Sequence, residues 1–156
     1  MSKILLDTSY ILPLFGIDVE IEGLKENFLR VLERYDVYYS PISLIEAKFI
    51  ALQLLKDGIN LLDDYRIGLI RISAEDYLKP TPLTTPEIEE IADKLLIDEN
   101  VKDYFDRMIY ATAVVFKLVL ITEDRKLTEL AKSYTKRPPK VYSWKTLCQD
   151  FSSIES

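Results

Sequence analysis

Short apolar runs alternate along this chain with segments whose apolar residues recur at three- and four-residue spacing. The runs at residues 3–6, 37–39, 69–72, 118–121 and 141–142 read as strands, brief and apolar as expected of strands covered on both faces. The periodic segments read as helices. A short apolar helix is expected over 10–15, and an amphipathic one over 22–35 with Leu24, Phe28, Leu32 and Tyr35 on one face. Ser40-Pro41 opens a long helix to Lys56, stopped by Asp57-Gly58. A helical turn follows at 61–65. The run LKPTPLTTP over 78–86 reads as a loop, and Pro86, with Thr85 as cap, starts a helix to Leu96. Further helices are expected from Asp106, over 125–134 and over 144–151. Strands alternate with helices and no tight hairpin signal occurs, which is the pattern of a parallel α/β sheet. The length fits one domain over 1–150, with a short tail at 151–156.

The stretch 106–124, DRMIYATAVVFKLVLITED, carries the strongest signal. Asp106, Ile109, Tyr110, Ala113 and Val114 share one helix face, so Asp106 lies on the stripe that points inward. The apolar strand that follows ends at Thr122-Glu123-Asp124. A carboxylate on a core-facing stripe is costly unless something compensates it, and the candidates elsewhere in the chain are further carboxylates. Asp7 follows the first strand directly, as Asp124 follows the fourth, so both belong at the carboxyl edge, where parallel sheets form their crevices. Glu46 shares a helix stripe with Ile42, Phe49, Ile50 and Leu54.

Composition narrows the chemistry. The chain has no histidine and one cysteine, Cys148. That excludes an intrachain disulfide, a thiolate zinc cluster and a Ser-His-Asp triad. No apolar run approaches the ~20 residues of a membrane span, and the opening MSKILLDTSYIL lacks a signal-peptide pattern. The expected location is the cytoplasm, with no membrane partner. The net charge is −6, but Arg125, Lys126, Lys132, Lys136, Arg137, Lys140 and Lys145 face only Glu129 in their stretch. That segment is either a solvated face or a phosphate-binding patch.

Each acid has an ordinary alternative. Asp7 and Asp124 could be helix caps. Ser43 and Glu46 match a capping box. Asp106 could be a first-turn acid. Asp103, one turn earlier, could join Asp106 or pair with Arg107 at i+4. Asp98, Glu99 and Glu123 read as solvent-facing charges. Jointly, Asp7, Glu46, Asp106 and Asp124 imply a carboxylate cluster. Such a cluster drives some members to protonate unless a cation compensates them. Mg²⁺ or Mn²⁺ suits it, because hard cations prefer carboxylate oxygens, and such a site suits phosphodiester hydrolysis.

LLDTSYIL, SPISLIEAKF, DRMIYATA and LVLITED together resemble the PIN domain family, in particular the VapC-type toxin ribonucleases. The resemblance covers nearly the whole chain in the family's order. It matches Asp7 with Thr8 and Ser9, then Glu46, then Asp106 with Ile109, Ala111, Thr112 and Ala113, then Asp124 with Leu120 and Thr122. It implies a three-layer α/β/α sandwich around a parallel sheet of about five strands. By the same resemblance, Asp7, Glu46, Asp106 and Asp124 hold one or two Mg²⁺ or Mn²⁺ ions, and Ser9 and Thr122 position waters or carboxylates. The implied activity is an endoribonuclease, the toxin of a toxin–antitoxin pair, with RNA as substrate, a small antitoxin as partner and a homodimer as assembly. The alternatives are a PIN nuclease in RNA processing without an antitoxin, and a catalytically silent PIN-like module that binds RNA or protein. An aspartyl-phosphate enzyme is disfavoured, because Ser9 stands where a D-x-D motif needs its second acid.

Overall fold

The computed structural model describes residues 1–155. Ser156, and the side chains of Asp150 and residues 152–155, lie outside the described residues, and the tail expected at 151–156 falls mostly on them. Five strands form one sheet: β1 (Lys3–Leu6), β2 (Asp36–Tyr39), β3 (Leu78–Pro80), β4 (Val119–Ile121) and β5 (Val141–Tyr142). Their order is β3-β2-β1-β4-β5, and every pair is parallel. The helices are α1 (Leu24–Arg34), α2 (Ile42–Lys56), α3 (Leu62–Ala74), α4 (Pro86–Glu99), α5 (Tyr104–Val115), α6 (Arg125–Ser133) and α7 (Trp144–Glu155). Two 3₁₀ turns, Thr8–Tyr10 and Leu12–Phe15, occupy the expected short helix after β1.

The pleat of β1 sorts its side chains between two cores. Ile4 and Leu6 join Tyr10, Phe15, Trp144 and the apolar faces of α1, α3 and α7. Leu5 joins Ile88, Leu95, Ile109, Tyr110 and Leu127 from α4, α5 and α6. A sheet with apolar residues on both faces must be covered twice, and the result is the expected α/β/α sandwich. No helix among the described residues is long and apolar enough to cross a membrane.

The third strand is not where the apolar pattern put it. Residues 69–72 lie inside α3, where Tyr65, Gly68 and Ile72 form a buried stripe at helical spacing. Gly68 lets α3 approach the second 3₁₀ turn: a Cβ there would meet Phe15 Cδ1 at 2.3 Å and the Leu14 carbonyl oxygen at 2.7 Å. The true third strand, Leu78–Pro80, begins the segment expected to be a loop. It is an edge strand, where a proline costs no ladder bond on its solvent side. Leu78 is buried against the sheet, the register pairs Val37 with Leu78, and the Thr81 amide donates to the Tyr39 carbonyl at 2.9 Å. Lys79 adds an ion pair to Asp36 at 2.8 Å.

Candidate active site

β1 and β4 are neighbours in the sheet and end side by side, with the Asp7 amide donating to the Ile121 carbonyl at 3.0 Å. The turns that leave them therefore start together, one bearing Asp7 and the other Thr122, Glu123 and Asp124. Asp7 caps the first 3₁₀ turn: its Oδ1 accepts from the Thr8 amide at 2.7 Å. Its Oδ2 accepts from the Thr122 hydroxyl at 2.6 Å. Thr122 Oγ1 in turn accepts from the Asp124 amide at 3.0 Å, and Asp124 caps α6 through the Lys126 amide at 2.8 Å. One buried hydroxyl thus sets the relation between two acids. Both residues cap a helix or turn and also line one pocket, so the cap does not take either carboxylate out of it.

Glu46 arrives from α2. The capping box does not form, because Ser43 already lies inside the helix, fully buried. Its hydroxyl instead shares a 2.7 Å hydrogen bond with Thr8 Oγ1. That contact ties the turn after Asp7 to the first turns of α2 and brings Glu46 alongside. Asp106 comes from the first turn of α5, whose cap is Asp103, accepting from the Asp106 amide at 3.0 Å. Arg107 does not take Asp103 as partner. It donates to the carbonyls of Val101 and Lys102, at 3.0 and 2.7 Å.

Asp7, Glu46, Asp106 and Asp124 line one pocket of about 270 Å³, together with Ser9 and Glu123. Asp103 is exposed and faces a neighbouring groove of about 870 Å³, which it shares with Asp106, Lys102, Lys126 and Lys132. Arg125, Lys136 and Arg137 are exposed and line neither space among the described residues. The cationic stretch is therefore divided, with Lys126 and Lys132 next to the acids and the rest apart.

The acids feel one another. Burial raises the Asp7 carboxyl above its ordinary range, and the charges of Asp124 and Asp103 push the same way, while Thr122 and Thr8 oppose them through their hydrogen bonds. Burial also raises Glu46, with Asp7 and Asp103 adding to it and the Thr8 hydroxyl pulling back. Asp106 is pushed up to about 7 by desolvation and then by the charges of Asp103, Asp7, Asp124 and Glu46. Desolvation leads in all three, and the mutual repulsion of crowded carboxylates adds to it.

The donor set fits a hard divalent ion: it holds carboxylates and hydroxyls, with neither imidazole nor thiolate. Among the described residues no three acidic or cysteine side chains are already arranged as a metal cage.

The sequence reading missed Glu123. Although its side chain is largely exposed, its Oε2 accepts from the Tyr10 hydroxyl at 2.5 Å and from the Trp144 amide at 3.0 Å. It is a structural carboxylate and not a free surface charge. The local sequence held no signal for this, because both donors lie far away along the chain.

Fold and pocket together define a parallel α/β protein whose sheet edge presents clustered carboxylates. The chain belongs to the PIN domain family, whose model matches residues 4–133, and members of that family are generally nucleases that use divalent metals. Among solved structures it is similar to a toxin–antitoxin complex from Klebsiella pneumoniae, with TM-score 0.56 and 21% identity over 88% of this chain and 94% of that one. It is similar to PAE2754 from Pyrobaculum aerophilum, with TM-score 0.61 and 16% identity over 97% of this chain and 90% of that one. It is also similar to VapBC2 from Rickettsia felis bound to a DNA fragment from their promoter, with TM-score 0.60 and 14% identity over 90% and 98%. No curated protein matches the sequence.

Proposed function

We propose that this chain is a Mg²⁺- or Mn²⁺-dependent endoribonuclease and the toxin of a toxin–antitoxin pair. The observation that carries the reading is the convergence of Asp7, Glu46, Asp106 and Asp124, from four separate segments, on one pocket at the carboxyl edge of the sheet. A bound divalent ion supplies Lewis acidity and a deprotonated water near neutral pH. The chain's own residues prepare the site. Thr122 and the Thr8 amide fix the two oxygens of Asp7. The Thr8–Ser43 bond sets Glu46 against it. Asp106, pushed up to about 7 by burial and then by its acidic neighbours, holds a proton in part near neutral pH and would serve a cation as a ligand once ionised. Ser9, at the pocket wall, orients water in this reading. Lys126 and Lys132, in the adjoining groove, meet the phosphates of the RNA strand.

The toxin role draws support from the Klebsiella relative, a toxin–antitoxin complex matched over most of its length. A partner is also consistent with α2, which is apolar around its circumference and leaves Ile45, Phe49, Leu52 and Leu55 exposed. Helices of that kind are ordinarily covered. The covering partners in this reading are a small antitoxin and a second copy of the chain.

The test is cleavage of a panel of end-labelled RNAs with Mn²⁺ or Mg²⁺, using wild type, wild type with chelator, and Asp106→Asn. Cutting is expected only from metal-replete wild type, with Asp106→Asn folded and at least about a hundredfold slower, since even outer contacts of metal sites cost ten- to a hundredfold. Equal cutting by Asp106→Asn would overturn the assignment.

A further inference from the structure

We propose that Glu123 is a positioning residue for the acidic pocket: clamped by Tyr10 and Trp144, it holds the turn that carries Asp124 against the turn that carries Asp7. The proposal rests on the reading of that pocket as a metal centre.

The two turns are cross-linked twice. Thr122 Oγ1 donates to Asp7 Oδ2 at 2.6 Å. Tyr10 Oη donates to Glu123 Oε2 at 2.5 Å. Tyr10 is also bound to Asp7 directly, its amide donating to the Asp7 carbonyl at 3.2 Å. Since Thr122 and Glu123 are adjacent in the chain, these bonds close a ring through Asp7, Tyr10, Glu123 and Thr122. A single hydrogen bond between two turns acts as a pivot. A second one, displaced from the first, removes the rotation. The placement of the Asp124 turn against the Asp7 turn thus rests on the Tyr10–Glu123 bond as well as on the bond Asp7 makes to Thr122.

The clamp is anchored. Tyr10 is buried to 1% exposure, and its ring stacks on Trp144 at 5.3 Å between centroids. Trp144 is equally buried, and its indole N–H donates to the Gly23 carbonyl at 3.2 Å. A buried tyrosine hydroxyl needs a partner, and here it donates to the Glu123 oxygen that also receives the first amide of α7. Burial and the neighbouring Glu123 carboxylate raise the Tyr10 phenol, so it stays a donor at any working pH. One oxygen of Glu123 thus joins the exit of β1, the exit of β4 and the start of α7.

Three substitutions separate positioning from the other roles Glu123 could have. Glu123→Gln keeps an oxygen that both donors can reach but removes the charge. Glu123→Ala removes the acceptor. Tyr10→Phe keeps the ring stack and removes one donor. Each folded variant is titrated with Mn²⁺ by calorimetry, with its melting temperature in chelator recorded alongside. Positioning predicts that Glu123→Gln binds Mn²⁺ much as wild type does, while Glu123→Ala and Tyr10→Phe bind about tenfold more weakly, the usual loss for an outer contact of a metal site. If Glu123→Gln loses as much as Glu123→Ala while Tyr10→Phe binds normally, Glu123 is a ligand and the positioning role is wrong. If all three bind like wild type and only their melting temperatures fall, the clamp serves stability alone and the proposal is wrong. Wild type that takes up no Mn²⁺ would instead remove the metal-centre reading, and this inference with it.

Discussion

Asp106 makes the pocket's electrostatics measurable. Its carboxyl sits at about 7 in the fold, against an ordinary value of 3.8. The native state therefore holds this proton more tightly than the unfolded chain does. The sign follows from linkage: stability is fully present below about pH 4, declines as pH rises through 7, and is level above. Asp7 and Glu46, both raised, add to that decline. Asp36, lowered chiefly by its hydrogen bond with Lys79, has the opposite sign, and its effect falls at lower pH. In chelator, the melting temperature is expected to be higher at pH 5 than at pH 7.5, and Asp106→Asn should flatten most of that slope. A wild-type protein equally stable at both pH values would contradict it. At this scale the sequence showed the four main acids, because each sits in a local pattern that can be read, at a strand end or on a helix stripe. Glu123 was not readable, because its role is defined by Tyr10 and Trp144, which meet it only when the chain is folded.

Among the elements, α3 and β3 show where periodicity misleads. A four-residue run with three aliphatic residues, LIRI, fits a strand until the buried Tyr65, Gly68 and Ile72 are recognised as one helical face. The real strand is hidden by Lys79 and Pro80, which an edge position tolerates and a central one would not. The contact at Gly68 gives a test with competing terms. Gly68→Ala should gain up to about 1 kcal/mol from helix propensity. It also places a methyl group 2.3 Å from Phe15 and 2.7 Å from a backbone carbonyl, and overpacking of that kind costs about 1–3 kcal/mol. The steric term should win, so urea denaturation is expected to show net destabilisation. A more stable Gly68→Ala would mean that the second 3₁₀ turn yields readily.

The whole molecule carries a net charge of −6 and, in the proposed function, must admit a polyanion. The distribution resolves this in part. Lys126 stands in the groove that Asp106 shares with the pocket, while Lys132, in the same groove, is paired to Glu129 at 3.0 Å. Each phosphate contact to a single strand contributes about 0.7 to the slope of log affinity against log salt. Lys126→Ala should therefore weaken RNA binding across sequences and shallow that slope by about 0.7. An unchanged slope would leave Lys126 a solvated charge. The layered architecture was legible in the sequence because alternating runs and stripes encode it. The division of the basic segment was not, because only the fold decides which of its side chains stand beside the acids.

The clamp at the head of α7 has an optical consequence. Trp144 is the chain's only tryptophan, packed on Tyr10 and tied through its amide to Glu123. Selective excitation of the indole therefore reports from a single place, one carboxylate away from the proposed catalytic centre. Any change in the environment of the Glu123 carboxylate reaches that amide directly. Intrinsic fluorescence should follow a Mn²⁺ titration in wild type and fall silent in Glu123→Ala, which makes this protein its own indicator of site loading.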